Sequence, residues 1–397
     1  MSNKKRRIGV VIAGRANYAS IKSTMRAIKA NKDLELLVFV GASAVLERYG
    51  NVVSLIEEDG FDITEKFYIM LEGENPQTMA MSTGLGMIEL AGLFMNHKPD
   101  VVITVGDRFE TMATAVTAAY MNIYLAHTMG GEVTGTIDES IRHAVTKFAH
   151  IHFPANEDAA ARIVKMGELK DNVFVTGCPR IDEVMEIVKQ NRSGQKIDQA
   201  EFWKKHKGVG ATFDINKEKF LLVSQHPVTT EYGLNRQHMR ATLEALKELK
   251  MPTIMLWPNS DAGSDEISKE IRTFREREKP DAWLHLFKNL AMPVYIRLMD
   301  ECACMIGNSS SALREGANIG VPAVNIGTRQ QGRQRGDNIA DVDYDKDSIK
   351  KAILKQLEHG KYQQQDLYGD GNAGVKIAEV LAEADLSKID IQKRINY

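Results

Sequence analysis

Asp100-Val101-Val102-Ile103-Thr104-Val105-Gly106-Asp107-Arg108-Phe109-Glu110 sets an apolar run of strand length directly before a glycine and a charged pair. A charged Gly-Asp-Arg at the carboxyl end of a buried strand is where open α/β sheets place groups that meet a ligand. A second charged stretch follows: Gly130-Gly131-Glu132-Val133-Thr134-Gly135-Thr136-Ile137-Asp138-Glu139-Ser140-Ile141-Arg142-His143. It carries three carboxylates, an arginine and a histidine behind a glycine-rich turn. Helical spacing puts Asp138 and Arg142 one turn apart on one face, a carboxylate beside a guanidinium. Taken alone, the same residues also describe a helix start capped by Thr136 or Asp138, with acids complementing the macrodipole. The Gly-Asp-Arg cluster upstream tips the balance toward a site.

Apolar runs of strand length alternate with helical periodicity nearly from end to end, which predicts an α/β fold with parallel sheets. Strands are expected at 8–12, 34–40, 101–105, 124–127, 151–154 and 173–176. Helices lie between them, one with the stripe Ile21, Met25 and Ile28 and another over 78–96, rich in Met, Leu and Ala. The charged stretch 189–219 precedes a new strand at 220–224, and the pattern restarts with strands near 253–257, 294–295, 304–307 and 323–326. Two doubly wound domains are therefore expected, 1–185 and 186–374. The last helix, within 375–397, is able to pack back on the first. Their strand-end loops would line one cleft.

The 397 residues carry a formal net charge of -2 with 26% charged residues, so no basic face for nucleic acid is implied. The basic Met1 to Arg7 leads into a run too short for a signal peptide, and no apolar run is read as a membrane span. Cys178, Cys302 and Cys304 form neither a Cys-x-x-Cys motif nor an even set, so a reducing cytoplasm is expected.

Four further loops carry chemistry. Gly14-Arg15-Ala16-Asn17-Tyr18 follows the first strand, where free N–H groups favour an anion and Arg15 adds a charge. In Gln225-His226-Pro227-Val228-Thr229-Thr230-Glu231, the proline turns the chain immediately after His226. Gly307-Asn308-Ser309-Ser310-Ser311-Ala312-Leu313-Arg314-Glu315 sets hydroxyls between a strand and a helix, a phosphate cradle or an ordinary serine cap. Gly327-Thr328-Arg329-Gln330 follows the next strand. The dinucleotide fingerprint is absent, since Gly84 and Gly86 fall inside a helical pattern. His150 and His152 alternate on one strand face with no third ligand at suitable spacing, so no metal is assigned.

Together, with Pro258-Asn259-Ser260-Asp261-Ala262-Gly263-Ser264 and Tyr368-Gly369-Asp370-Gly371-Asn372, these motifs resemble the UDP-N-acetylglucosamine 2-epimerase family, and specifically its hydrolysing branch in sialic-acid-type biosynthesis. The resemblance covers nearly the whole chain. It implies a glycosyltransferase-B-like fold of two Rossmann-like domains, the second, 186–374, binding the nucleotide, with UDP-sugar as substrate, UDP as product and no redox cofactor or metal. It also implies that Arg15, Arg108, Asn259, Ser309, Ser310, Glu315 and Arg329 bind UDP or substrate, and that Asp107, Asp138, Arg142 and His226 form the catalytic set.

Four positions depart from the pattern: Ala19, Ala44, Val105 and Met129, the last where many members carry a glutamate. Glu132 is then a replacement carboxylate in the catalytic set. The expected substrate is UDP-N-acetylglucosamine; the more apolar Met129 site makes UDP-N,N'-diacetylbacillosamine of the legionaminic-acid branch the alternative. A non-hydrolysing epimerase, a glycosyltransferase of the same fold and a nucleotide-sugar sensor are more remote. A homodimer or homotetramer is expected, with the helix over 78–96 as its surface.

Overall fold

The computed structural model describes residues 5–47, 52–72, 76–133, 137–194, 196–206, 208–228, 231–258, 263–288 and 290–396. The chain divides into two units, Met1–Glu183 with Tyr368–Tyr397, and Val184–Leu367.

The first unit is built on β1 (Arg6–Ile12), β2 (Leu34–Val40), β3 (Glu65–Lys66), β4 (Val101–Val105), β5 (Tyr124–Thr128) and β6 (Ile151–Phe153). All pairings are parallel and the order is β3-β2-β1-β4-β5-β6, the doubly wound arrangement. Successive strand residues feed opposite faces. Ile8, Val10, Ile12, Val38, Val101 and Ile103 pack with Met25 and Ile28, whereas Val11, Phe39, Val102 and Leu125 pack with Leu90, Phe94 and Val145. Each of these buried side chains contributes about 1.5–3 kcal/mol relative to exposure, and with both faces covered the strands read as unbroken apolar runs.

The helix Ala373–Glu383 lies against the helix Lys22–Ala30 and contributes Ile377 and Leu381 to the first of these cores. Its free N–H groups are met by Asp182, which accepts from Ala373 N at 2.9 Å and Gly374 N at 2.7 Å. The chain beyond it is also tied down. Tyr124 donates to Leu386 O at 2.7 Å, and Lys393 Nζ donates to Lys147 O at 2.8 Å and meets Glu168 at 2.6 Å.

Glu168 gathers Lys147, His152 and Lys393. Burial opposes its ionisation, but these three donors outweigh that and bring it down to about 2. The folded value lies below the unfolded one, so the stabilisation is complete above the ordinary glutamate range and is lost as pH falls toward 2. Glu168→Gln is therefore expected to cost roughly 1–3 kcal/mol at pH 7. Urea midpoints of variant and parent should converge as the pH is lowered; a gap independent of pH would contradict the assignment.

The second unit comprises β7 (Val209–Gly210), β8 (Leu221–Ser224), β9 (Thr253–Leu256), β10 (Leu284–Phe287), β11 (Cys304–Gly307), β12 (Ala323–Ile326) and β13 (Ile339–Val342), ordered β13-β12-β11-β8-β9-β10-β7. Six strands repeat the doubly wound order of the first sheet, and β7 adds antiparallel to the β10 edge. Both units are thus Rossmann-like.

Three sequence expectations are corrected. Residues 173–176 form only a single bridge, Val173 with His152. Val294 and Tyr295 lie in the helix Met292–Glu301, whose Pro293 in the first turn favours helix over strand; the expected strand is β10, upstream. The apolar helix Pro76–His97 is long and apolar enough to cross a membrane, contrary to the reading that no such run exists. Its Leu90 and Phe94 are buried in the first unit's core, while Met81, Ile88 and Met95 are exposed. The charged 189–219 stretch holds the end of the helix Pro179–Arg192, the helix Gln199–Lys205 and β7.

Candidate active site

In a doubly wound sheet the crevice opens where the strand order reverses, between β1 and β4 in the first unit and between β8 and β11 in the second. The sequence-selected loops leave the carboxyl ends of these strands.

In the first unit, β4 runs into Gly106-Asp107-Arg108 before the helix Phe109–Tyr120. Asp107 accepts from Arg142 Nη2, and Arg142 Nη1 donates to Glu132 O at 2.9 Å. The guanidinium is almost wholly buried, at 6% exposure, while the Asp107 side chain keeps 23%. The site carboxylate thus has one face toward solvent and the other fixed by a charge-assisted bond. Arg142 rises from the helix Ile137–Phe148, so this carboxylate reaches it from the separate loop after β4.

Glu110 lies next to this pair in the chain and was not selected from the sequence. Burial raises the pKa of its carboxyl; Arg108, whose Nε donates to it at 3.2 Å, opposes the rise, and the charge of Asp138 adds to it. Asp138, in the first turn of its helix, is half-buried. Arg108, 63% exposed, stands at the residue before the next helix, and Arg15 is exposed at the start of the helix Arg15–Ala19.

His127, fully buried on β5, holds this loop from below. Its Nε2 lies 2.8 Å from Gly106 O and its Nδ1 3.2 Å from Thr146 Oγ1. Burial brings the imidazole down to about 3, so it is neutral at pH 7. A carbonyl only accepts, which assigns the proton to Nε2.

The glycines before Glu132 are dictated by close approach. Gly131 has φ +75°, and a Cβ there would stand 2.2 Å from Ala159 O. Gly131→Ala is expected to cost about 1–2 kcal/mol for the left-handed backbone and about 1–3 kcal/mol more for the clash. Thermal melts check this; an unchanged melting temperature would contradict it. Met129 turns its sulfur to the buried Cys178, 3.8 Å away, and packs against the core. Its thioether therefore has a packing role.

In the second unit, His226 follows β8, with Nε2 3.2 Å from Ser224 Oγ. Asn308, absent from the sequence-selected residues, grips its backbone: His226 N donates to Asn308 Oδ1 at 2.7 Å and Asn308 Nδ2 donates to His226 O at 2.8 Å. Ser309 caps the next helical turn and Ser310 begins it; both are half-buried. Ser311 faces inward to Tyr295, 2.7 Å away. Glu315 is buried, and its charge helps raise the Tyr295 phenol, pushed up to about 12 mainly by burial. Arg329 Nη1 donates to Asn308 O at 3.3 Å. Asn259 and Thr134 to Thr136 lie outside the described residues.

His150 and His152 are engaged elsewhere. His150 accepts from Leu125 N at 3.1 Å and meets Ile391 O at 3.0 Å, and His152 Nε2 lies 3.1 Å from Glu168. Among the described residues no group of three or more His, Cys, Asp or Glu is placed to hold a metal.

The family model for UDP-N-acetylglucosamine 2-epimerase matches residues 26–382. The chain belongs to the UDP-N-acetylglucosamine 2-epimerase family. It is similar to the UDP-N,N'-diacetylbacillosamine 2-epimerase (hydrolyzing) of Legionella pneumophila, 31% identical with 95% of each chain covered. It is also similar to the UDP-N-acetylglucosamine 2-epimerase of Neisseria meningitidis, 29% identical with 98% of each covered. The solved structure of the UDP-GlcNAc 2-epimerase from Neisseria meningitidis bound to UDP-GlcNAc superposes with a TM-score of 0.78 at 18% identity, covering 95% of this chain and 100% of that one. The fold is accordingly glycosyltransferase-B-like, and family membership makes the protein a nucleotide-sugar 2-epimerase.

Proposed function

We propose that the protein is a hydrolysing UDP-sugar 2-epimerase that converts UDP-N-acetylglucosamine and water to N-acetylmannosamine and UDP. The observation that carries this reading is the half-open Asp107 carboxylate locked by the buried Arg142, followed in the chain by Glu110, whose carboxyl feels the charge of Asp138.

In this reading Asp107 or Asp138 takes the proton from C2 while the bond from C1 to the UDP oxygen breaks. The C2–H electron pair becomes the C1–C2 double bond of a 2-acetamidoglucal, and UDP leaves with the C1–O pair. Water then adds through oxygen at C1 and gives up a proton to a carboxylate, while a carboxylic acid returns a proton to C2 on the opposite face. Base and acid must therefore coexist. The raised Glu110 keeps its proton to higher pH than an exposed glutamate, which suits the acid role. The departing diphosphate needs electrophilic partners; Arg15, Arg108 and Arg329 and the Ser309 and Ser310 hydroxyls are assigned to it, His226 to its developing charge or to the sugar hydroxyls, and Glu315 to the nucleoside.

The hydrolysing outcome is supported by the name of the Legionella relative and by the Gly130 to Glu139 motif. The same name favours a second reading, UDP-N,N'-diacetylbacillosamine as the substrate. The exposed Met81, Ile88 and Met95, spaced by seven along one helix, support a homo-oligomer formed through that face.

Incubation with each UDP-sugar separately, without acceptor, tests the reading by phosphorus NMR and sugar chromatography. Free UDP with the free 2-epimer from either sugar supports it and identifies the substrate. A UDP-linked 2-epimer marks the non-hydrolysing reaction, and no UDP from either sugar overturns the proposal.

A further inference from the structure

Strands β8 and β11 lie side by side at the point where the second sheet reverses its winding, with Ser224 opposite Gly307. The approach is close: Gly307 has φ +127°, and a Cβ there would sit 2.2 Å from Ser224 O. The ladder ends with Asn308 N donating to Ser224 O at 3.1 Å. Past that bond the two chains would separate into the ligand crevice, and Pro227 has no N–H to extend the pairing. The Asn308 side chain bridges the gap. Its amide offers one acceptor and one donor to His226 N and O, reproducing a strand's bonding for one residue.

The main chain of the same residue serves a third loop. Asn308 O accepts from Gln330 Nε2 at 2.8 Å as well as from Arg329 Nη1. Asn308 is itself buried, so it reaches no ligand. Its bonds nevertheless fix the loop bearing His226, adjoin Ser309 and Ser310, and steady Arg329.

We propose that Asn308 is the positioning residue that sets His226 for the reaction, an inference that rests on the assignment of His226 to the diphosphate or sugar. The donor and acceptor are both required. Asn308→Asp keeps an acceptor for His226 N but turns an oxygen on His226 O, and it regains the missing donor only when protonated. Asn308→Ala supplies neither. The carbonyl that holds Arg329 belongs to the backbone and survives both changes, so UDP affinity should survive better than turnover.

The test compares parent, Asn308→Asp and Asn308→Ala for kcat, for UDP binding by calorimetry and for melting temperature. Both variants are expected to lose about 10²-fold in kcat, the scale of a misplaced catalytic group, with a much smaller change in UDP affinity. The ratio of Asn308→Asp to parent activity should rise as pH is lowered, whereas that of Asn308→Ala stays flat. Unchanged kcat, or parallel loss of kcat, UDP affinity and melting temperature, would overturn the role. A readout independent of turnover separates this from failure of the proposed reaction. In protein carrying carbon-13-labelled histidine, the imidazole signal that disappears in His226→Gln should move in Asn308→Asp. If it stays in place the proposal fails, even where the parent turns over neither sugar.

Discussion

Asp107→Asn is expected to lower turnover roughly 10²–10⁴-fold while leaving UDP binding in place. The substituted side chain has nearly the same shape, and its oxygen still accepts from Arg142, so the loop after β4 keeps its course. What disappears is the capacity to take a proton. The buried guanidinium also loses its counter-charge, partly offset by the Glu132 carbonyl that remains on Nη1. Rates of UDP release set beside calorimetric UDP titrations separate chemistry from binding. An unchanged rate would remove Asp107 from the acid/base role and leave Asp138 to be tested by Asp138→Asn.

Arg142→Met tests the other half of the pair and should act on stability as well as rate. Methionine fills much of the volume, but the Glu132 carbonyl and the buried side of Asp107 lose their donor. Removing one partner of such a pair costs about 3 kcal/mol, read as a fall in the urea midpoint. Because Arg142 acts by holding Asp107, the double variant with Asp107→Asn should be little slower than the worse single variant. Independent, multiplying losses in kcat would contradict the coupling, as would a midpoint equal to the parent's.

The strands that carry the site were legible because each is buried on both faces and bounded by glycine, proline or charge. Leu34–Val40, Val101–Val105, Cys304–Gly307 and Ala323–Ile326 stand at the boundaries read from the sequence. β13, with its half-exposed Ile-Ala-Asp-Val, carries no such signature. The run at Val294 was misread because a short apolar stretch does not separate strand from helix, and Pro293 was the residue that should have decided it.

The chemistry-bearing loops announced themselves by charge at strand ends, but their partners did not. Spacing placed Asp138 beside Arg142 but gave no sign that Arg142 also bonds Asp107, 35 residues away, and the Glu132 carbonyl. Asn308 reaches a histidine 82 residues distant. Glu110 looked like an ordinary acid in the first turn of a helix, and only its burial distinguishes it. His127 sat in an apolar run and reads as a core residue until its bond to Gly106 is seen. In each case the missing information is a long-range contact, which local periodicity does not carry.

The most direct test of the account is proton NMR of the reaction in deuterated water, with UDP-N-acetylglucosamine and with UDP-N,N'-diacetylbacillosamine. The account predicts free UDP and a free 2-epimer carrying deuterium at C2, since the C2 proton is removed and replaced from solvent. Free sugar that retains its original C2 proton and configuration would contradict it, leaving the protein a hydrolase of the UDP-sugar bond with no epimerising step.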